Sequence, residues 1–250
     1  MRPTPIDAVG VIIPAHEEER LITGCVRSIA LAGSHPALAG IPVTLVVVLD
    51  RCSDRTGDRA ETAGRLDRTR RGVLRTIVVD ARYASVGRSR ALGTDIAIEH
   101  FAGADPARLW LATTDADSAV PFDWLAHHLA LRRRGFHAAA GTVRVSSWHG
   151  QPPHAPTLHE ARYRLGGAGG YGHHHVHGAN LAFTARAYQA AGGFAPVPTA
   201  EDHLLWRGIR TTGLPAISTP FAPVTTSARR EGRAPDGFAG FLRSLEPAEV

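Results

Sequence analysis

Apolar residues in the first half of the chain form short continuous runs, and each run is followed by a segment with helical spacing. Continuous apolar runs are typical of strands that are buried on both faces. They lie at residues 9–14, 43–49, 74–80 and 109–114, with a fifth candidate at 137–145. Helices are predicted at residues 17–32, from about 56, at 87–101 and at 121–134. This alternation predicts an α/β fold with a mostly parallel sheet that helices cover on both faces.

The second half of the chain, from residue 146, is less regular. Residues 146–156 are rich in Ser, His and Pro, and residues 165–178 contain six glycines and four histidines, which is typical of loops. A short strand is predicted at 179–184, a short helix at 186–191 and a longer helix at 200–212. A chain of 250 residues is long enough for one sizeable core, and we expect a single domain over residues 1–250.

Acidic residues follow three of the predicted strands, at the edge of the sheet where parallel folds bind their ligands. They are Glu17 and Glu18, Asp50 and Asp54, and Asp115 and Asp117. The triplet Asp115-Ala116-Asp117 is the most informative, because two carboxylates with one residue between them are well placed to hold a divalent cation. Each turn also has a structural alternative, since acids favour helix N-termini and Asp caps helices.

Composition narrows the chemistry further. All 28 basic residues are arginine, because the sequence contains no lysine, and this excludes Schiff-base chemistry and a P-loop. The arginines are dispersed, so no nucleic-acid partner is expected in spite of the net charge of +5. Cys25 and Cys52 lack the CxxC spacing of metal or redox sites. The sequence has no apolar signal core and no membrane-spanning run, which predicts a soluble, cytoplasmic protein without transmembrane segments.

Six motifs occur in order along the chain: VIIPAHEEE, VVVLDRCSDRT, VGRSRALG, TTDADS, HGANLAFTARAYQAAGGF and AEDHLLWRGIR. Together they resemble the family 2 glycosyltransferases of the GT-A fold over residues 9–212. The resemblance implies a nucleoside-diphosphate sugar donor, with a UDP-sugar expected, a hydroxyl acceptor, inversion at the anomeric carbon and a divalent cation, Mg²⁺ or Mn²⁺. It divides the chain into a nucleotide-sugar part at about 9–145, an acceptor part at about 146–225 and a tail at 226–250.

The resemblance also implies roles for individual residues. Those that correspond to nucleotide-sugar contacts are Pro14, Ala15, His16, Glu18, Asp50, Arg90 and Asp115. Asp117 corresponds to the direct metal ligand, with Asp115 beside it and His177 as a further candidate ligand. Asp202 corresponds to the general base, and Asn180 lies in the segment that borders the acceptor site. The structural alternatives are a surface arginine at position 90 and a dipole-favoured acid at a helix start at position 202.

Some positions depart from the family pattern. Glu17 stands where asparagine is usual, Leu49 replaces the first acid of the second motif, and Arg51-Cys52 replace Gly-Ser. These departures keep open a protein that binds a sugar nucleotide without transferring the sugar. A nucleotidyltransferase is a further alternative, although such enzymes usually carry a phosphate loop with lysine.

The motif Gln-x-x-Arg-Trp of processive members is absent, which predicts single-sugar transfer. The tail arginines Arg229, Arg230 and Arg233 are candidates for a lid over the diphosphate.

Overall fold

A computed structural model of the chain describes residues 5–71, 74–146, 154, 156–157 and 175–227, with the backbone alone for residues 68–71. The arginine lid predicted at Arg229, Arg230 and Arg233 lies outside these residues. The same is true of His173 and His174, which precede the candidate ligand His177. Within the described part of the chain, no helix is long and apolar enough to cross a membrane.

Strands and helices alternate through the first half of the chain, as predicted. The strands are β1 (Ala8–Ala15), β2 (Val43–Asp50), β3 (Leu74–Ala81), β4 (Leu109–Thr113), β5 (Ala138–Val145), β6 (Leu181–Thr184) and β7 (Ala216–Thr226). The helices are α1 (Ile22–Gly33), α2 (Thr56–Arg71), α3 (Val86–His100), α4 (Trp124–Arg133), α5 (Ala185–Ala190) and α6 (Glu201–Thr211). Single 3₁₀ turns lie at Pro36–Leu38 and Gly178–Asn180.

The described strands form one sheet with the order β3-β2-β1-β4-β6-β5-β7. β6 runs antiparallel to β4 and β5, and every other neighbouring pair in the sheet is parallel. The prediction of a mostly parallel sheet is therefore confirmed. Because β1 to β4 are parallel neighbours, their carboxyl ends meet at the same edge, and the acidic turns that follow β1, β2 and β4 lie beside one another.

Both faces of the sheet are covered by helices. Successive side chains of a strand point to opposite faces, and β1 contributes to two separate hydrophobic clusters in this way. Val11 packs in the cluster that contains Ile22 of α1 and Trp124 of α4. Ile12 packs in the other cluster, which contains Leu205 of α6 and residues of α3 and α5. This two-sided burial explains why β1 and β2 are continuous apolar runs in the sequence.

The start of α1 differs from the prediction of a helix from residue 17. α1 begins at Ile22 and has no acidic residue in its first turn. Glu17 has a φ of 54°, in the left-handed region, which a right-handed helix does not permit. The interpretation of Glu17 to Glu19 as dipole-favoured acids at a helix start is therefore wrong, and these residues lie in the turn before the helix.

Strand β7 is a further difference, because the sequence pattern did not predict it. Pro220 and Pro223 interrupt this segment, and proline cannot donate a hydrogen bond to a strand ladder. β7 tolerates both prolines because it lies at the edge of the described sheet and pairs with β5. The pairing also shifts register between Gly141 and Val143 of β5, as at a β-bulge. β7 matters for function because its carboxyl end reaches the turn after β4.

Candidate active site

The turns after β1 and β2 are joined by hydrogen bonds. The backbone N–H and the hydroxyl of Ser53 both donate to Glu17 Oε1, at 2.6 and 2.9 Å. The Glu18 N–H donates to Thr56 Oγ1 at 2.7 Å, and His16 Nδ1 donates to the carbonyl of Asp50 at 2.7 Å. Glu17 therefore holds the second turn in place with its side chain. The predicted nucleotide-contacting residues Pro14 and Ala15 lie within β1, and His16 begins the turn.

Asp50, at the last position of β2, holds the loop that follows β3. Its Oδ1 accepts the N–H groups of Tyr83 and Ala84 at 2.8 and 3.0 Å. Its Oδ2 accepts the Ser85 N–H at 2.9 Å and the Ser89 hydroxyl at 3.1 Å. Burial raises the pKa of Asp50, but these hydrogen bonds outweigh burial and bring the pKa below its ordinary value. Both oxygens are thus engaged within the protein, and contact with a nucleotide base remains a prediction.

Several residues other than glycine have left-handed backbone conformations near this edge of the sheet. Among the described residues they are Glu17 (54°), Arg51 (57°), Ala84 (50°) and Ala200 (63°), which lie in the loops around the candidate site, and Ala222 (51°) in β7. Each such residue carries strain of about 1–3 kcal/mol, and strain of this kind is typical of functional sites. At Glu17 and Arg51 the family usually has asparagine and glycine, which adopt this conformation more readily.

The turn after β4 carries Asp115 and Asp117, and both side chains are half-buried. Asp117 accepts hydrogen bonds from the hydroxyls of Ser118 at 3.3 Å, Thr226 at 3.4 Å and Ser227 at 2.5 Å. Ala119 and Thr225 exchange two backbone hydrogen bonds, so the end of β7 is tied to this turn. The side-chain oxygens around Asp117 are hard metal ligands of the type that Mg²⁺ and Mn²⁺ prefer. Sequence reasoning missed Thr226 and Ser227, because β7 itself was not predicted.

Arg90 of α3 lies in the interior, with 4% of its surface exposed, so the alternative of a surface arginine is wrong. Its Nη2 donates to Asp115 Oδ1 at 2.6 Å, and its Nη1 donates to Glu201 Oε1. Burial lowers the pKa of Arg90, but Asp115, Glu201 and Asp202 outweigh it and raise the pKa above its ordinary value. The predicted contact of Arg90 with phosphate remains untested, and two of its nitrogens are already engaged by carboxylates.

Glu201 and Asp202 begin α6, and their surroundings differ. Glu201 is 3% exposed, and burial raises its pKa while Arg90 opposes that shift. Asp202 is half-buried, and its Oδ2 accepts the Gly178 N–H at 2.7 Å while its Oδ1 accepts the His203 N–H at 2.8 Å. Glu201 is therefore neutralised by Arg90, whereas backbone N–H groups fix the direction of the more accessible Asp202 carboxylate. A carboxylate held like that of Asp202 can accept a proton from a bound hydroxyl.

The expected third metal ligand finds no support in the geometry. Within the described residues, no group of three His, Cys, Asp or Glu side chains is arranged to hold a metal ion, so His177 does not join Asp115 and Asp117 in such a group. His177 instead stacks on His175, with ring centroids 5.9 Å apart and planes 10° from parallel. The family resemblance suggested His177 as a ligand, but a resemblance does not determine which way a side chain in a glycine-rich segment points.

Asn180, expected to border an acceptor site, is 2% exposed. Its Oδ1 accepts the Trp124 Nε1–H at 2.9 Å, and its Nδ2 donates to the carbonyls of Thr142 and Ala222 at 2.8 and 3.2 Å. These contacts join α4, β5 and β7 behind the site. Asn180 therefore supports the site from within the fold.

A family model and several solved structures match this chain. The model described as Glycosyltransferase like family 2 matches residues 5–239. No curated protein matches the sequence significantly. Because the matched segment is well over half of the chain, the family resemblance found in the six motifs is confirmed.

Three of the similar structures were solved with a nucleotide sugar. The mannosyltransferase PcManGT from Pyrobaculum calidifontis, in complex with GDP-Man and Mn²⁺, is 22% identical with a TM-score of 0.61, and the match covers 99% of this chain and 67% of that one. TarS 1-349 from S. aureus, with UDP-GlcNAc, is 14% identical with a TM-score of 0.64 over 92% of this chain and 61% of that one.

The third is glucosyl-3-phosphoglycerate synthase from Mycobacterium tuberculosis, in complex with Mn²⁺, UDP-Glc and phosphoglyceric acid. It is 17% identical with a TM-score of 0.50, and the match covers 89% of this chain and 72% of that one. At these identities the likeness concerns the fold, and the expected GT-A architecture is confirmed. The chain spans 61% of the length of the TarS fragment.

Proposed function

The chain belongs to the glycosyltransferase-like family 2, and on this premise we propose that it moves a single sugar from a nucleoside-diphosphate sugar to a hydroxyl acceptor with inversion at the anomeric carbon. One observation carries the proposal. Arg90 contacts both Asp115, in the turn after β4, and Glu201, at the start of α6. The motif expected to face the donor and the motif expected to supply the base therefore belong to one cluster of side chains.

The donor is proposed to bind over the turns that follow β1 and β2. The solved relatives support this class of ligand, since their structures contain UDP-GlcNAc, GDP-Man or UDP-Glc. His16, Glu18 and Asp50 are the candidate contacts, with a UDP-sugar as the first donor to test. The departures at Glu17 and Arg51 add charged side chains to these turns relative to the family, whereas Leu49 is buried in the core.

Asp117 and Asp115 are proposed to hold a divalent cation together with the donor phosphates. Mg²⁺ in proteins is typically bound by one or two carboxylates plus substrate phosphates, and the side-chain oxygens around Asp117 match that chemistry. When bound, such an ion supplies stabilisation of the negative charge that develops on the leaving diphosphate. The relatives solved with Mn²⁺ support a cation in this class of site.

Asp202 is proposed as the general base. It takes the proton of the acceptor hydroxyl as that oxygen forms a bond to the anomeric carbon, while the bond from this carbon to the diphosphate oxygen breaks. Attack from the face opposite the leaving group inverts the configuration. The hydrogen bond from the Gly178 N–H to Asp202 supports this role, because it fixes the direction of the carboxylate.

The first test compares Asp117→Ala with Asp202→Asn. We expect Asp117→Ala to remove the Mn²⁺-dependent part of donor affinity, because it deletes the direct ligand. Asp202→Asn should leave donor affinity within a few-fold and lower turnover by about 10²–10⁴, which is the usual contribution of a general base. Donor affinity is measured by calorimetry with UDP-glucose, UDP-GlcNAc or GDP-mannose plus Mn²⁺. Turnover is measured as release of nucleoside diphosphate, with water and with a panel of hydroxyl acceptors.

The matched control is Asp58→Asn, a change at an exposed acid of α2. Wild-type turnover in both Asp117→Ala and Asp202→Asn would contradict the assignment of the site. Tight donor binding by the wild-type protein with no turnover on any acceptor would favour the other function that the departures at Glu17, Leu49 and Arg51 suggest, namely a sugar-nucleotide-binding protein without transfer activity.

A further inference from the structure

Arg90 connects elements that are remote from one another in the sequence. Its guanidinium contacts Asp115, 25 residues away in the turn after β4, and Glu201, 111 residues away at the start of α6. Its side chain is 5% exposed and that of Glu201 is 4% exposed, so one of these two ion pairs is fully desolvated. A buried ion pair contributes little net stability, but removing one partner is costly. Its main consequence here is therefore geometric.

The planar guanidinium fixes the relative positions of its partners. Its N–H groups point in fixed directions, and lysine, with a single compact ammonium, does not reproduce this fork. Asp115 and Glu201 are thus held at a set separation and angle. Glu201 is the residue before the candidate base, so the direction in which α6 starts depends on this contact.

Gly178 provides a second connection between Arg90 and the candidate base. A Cβ atom at Gly178 would lie 2.3 Å from Arg90 Cζ, so only glycine allows the backbone to pack on the guanidinium. The Gly178 N–H donates to Asp202 Oδ2, and the Gly178 carbonyl accepts the Thr113 hydroxyl at 2.6 Å. The backbone that directs Asp202 therefore rests on Arg90 and on the end of β4.

From these contacts, and resting on the function proposed above, we infer that Arg90 is a positioning residue that keeps the candidate base Asp202 in register with the donor-side carboxylate Asp115. It acts through Glu201 and through Gly178. This role differs from the phosphate contact that the family resemblance implies. A phosphate contact would contribute to donor binding, whereas a positioning residue contributes mainly to the rate of the bound complex.

The test is Arg90→Lys, which keeps the positive charge and loses the fork. With UDP-glucose, UDP-GlcNAc or GDP-mannose, whichever the wild-type protein binds in the presence of Mn²⁺, we expect donor Kd to change less than about threefold. Turnover at saturating donor should fall at least about tenfold, as for a misplaced reacting group. Gly178→Ala should give the same pattern, because its methyl group displaces the guanidinium. Arg88→Lys, at an exposed arginine of the same helix, is the matched control and should behave as wild type.

Glu201→Gln provides a milder variant if Arg90→Lys does not fold, since the amide keeps the size and an acceptor oxygen. Like Arg90→Lys, it should lower turnover and leave the donor Kd unchanged. A loss of donor affinity with unchanged turnover at saturation would assign Arg90 to the diphosphate and overturn the inference. Unchanged affinity and turnover in Arg90→Lys would also overturn it. A wild-type protein without turnover would contradict the proposed function itself, which is a separate outcome from either of these.

Discussion

Glu17 and Arg51 show how single backbone positions shape the candidate site. Both have left-handed φ values, 54° and 57°, at the turns after β1 and β2. The family usually has residues there that adopt this conformation with little strain, whereas glutamate and arginine adopt it at a cost of about 1–2 kcal/mol each. At both positions the chain therefore combines a strained backbone with a charged side chain.

Substitution of Arg51 tests this strain directly. We expect Arg51→Gly to be more stable than Arg51→Ala by about 0.5–1 kcal/mol. Glycine removes the left-handed strain, and this gain exceeds the loss that comes from the greater freedom of glycine in the unfolded chain. The two variants lose the same exposed side chain and differ by a single methyl group. Urea unfolding at neutral pH measures the difference in the free energy of unfolding. Equal stability of the two variants would show that position 51 is not strained.

The sequence indicated which residues lie at the candidate site but not their contacts. Asp115 and Asp117 stood out as two carboxylates after a strand, and Asp202 was assigned because the motif around it resembles the family. Arg90 was also identified, but its burial was not, because its partners are 25 and 111 residues away and only the folded chain brings them together. The hydroxyls of Thr226 and Ser227 carry no distinctive sequence signal at all.

Helix α3 is an element whose closeness to the sheet depends on one residue. A Cβ atom at Gly93 would lie 2.7 Å from Ile12 Cγ2 and 3.1 Å from Val48 Cγ2. Ile12 and Val48 lie in the neighbouring strands β1 and β2, so glycine lets the helix pack directly on both. Gly93 therefore determines how closely α3 packs on the sheet. Since Arg90 is on the same helix, its reach to Asp115 depends on that packing.

A pair of glycine substitutions tests this element. We expect Gly93→Ala to destabilise the protein by about 1–3 kcal/mol, because the added methyl overpacks the interface with β1 and β2. Gly24→Ala is the control, since Gly24 is exposed on α1 and has no atom within 4 Å of the added Cβ. That control should stabilise by about 0.5–1 kcal/mol through helix propensity. Thermal unfolding measures both, and a stabilising Gly93→Ala would contradict the packing.

The elements themselves were predicted unevenly, for physical reasons. β1, β2 and β4 were found because burial on both faces leaves a continuous apolar run. β3 is mostly half-buried, but its apolar residues were enough to predict it. β7 was missed because an edge strand does not need a continuous apolar run. It also does not need every backbone N–H for pairing, so Pro220 and Pro223 are allowed in it. β6 has only four residues, but all of them are buried and the short strand predicted at 179–184 contains it.

At the scale of the whole molecule, His128 couples stability to pH. It is 3% exposed between Trp110 and Trp124, with ring centroids 5.8 and 5.0 Å away. Burial, with a smaller effect from His127, lowers the pKa of His128 from 6.5 to about 3. The unfolded chain takes up a proton below pH 6.5 while the folded protein does not. Stability is therefore fully present above that pH and is lost as the pH falls towards 3.

Unfolding in urea as a function of pH checks this coupling. Between pH 6 and pH 4 we expect His128 to contribute roughly 1 kcal/mol of lost stability per pH unit. Phenylalanine does not titrate, so the free energy of unfolding of His128→Phe should fall less steeply with decreasing pH than that of the wild type, by about this amount per pH unit. His203→Gln, at an exposed histidine of α6, should keep the wild-type slope. If His128→Phe and wild type have the same slope, His128 is not held neutral in the folded protein.

The order of the strands also has a consequence for biosynthesis. β1 to β4 can associate once residue 113 has emerged from the ribosome. The free edge of β4 pairs with β6, which begins at Leu181, and β5 pairs with β6 and β7, so these strands are completed later. Through that interval the nascent chain presents the apolar edge that carries Trp110 and Leu111. Unpaired apolar edges are templates for association with other chains. The growing polypeptide is therefore most prone to aggregate after β1 to β4 have emerged and before β6, β5 and β7 complete the sheet.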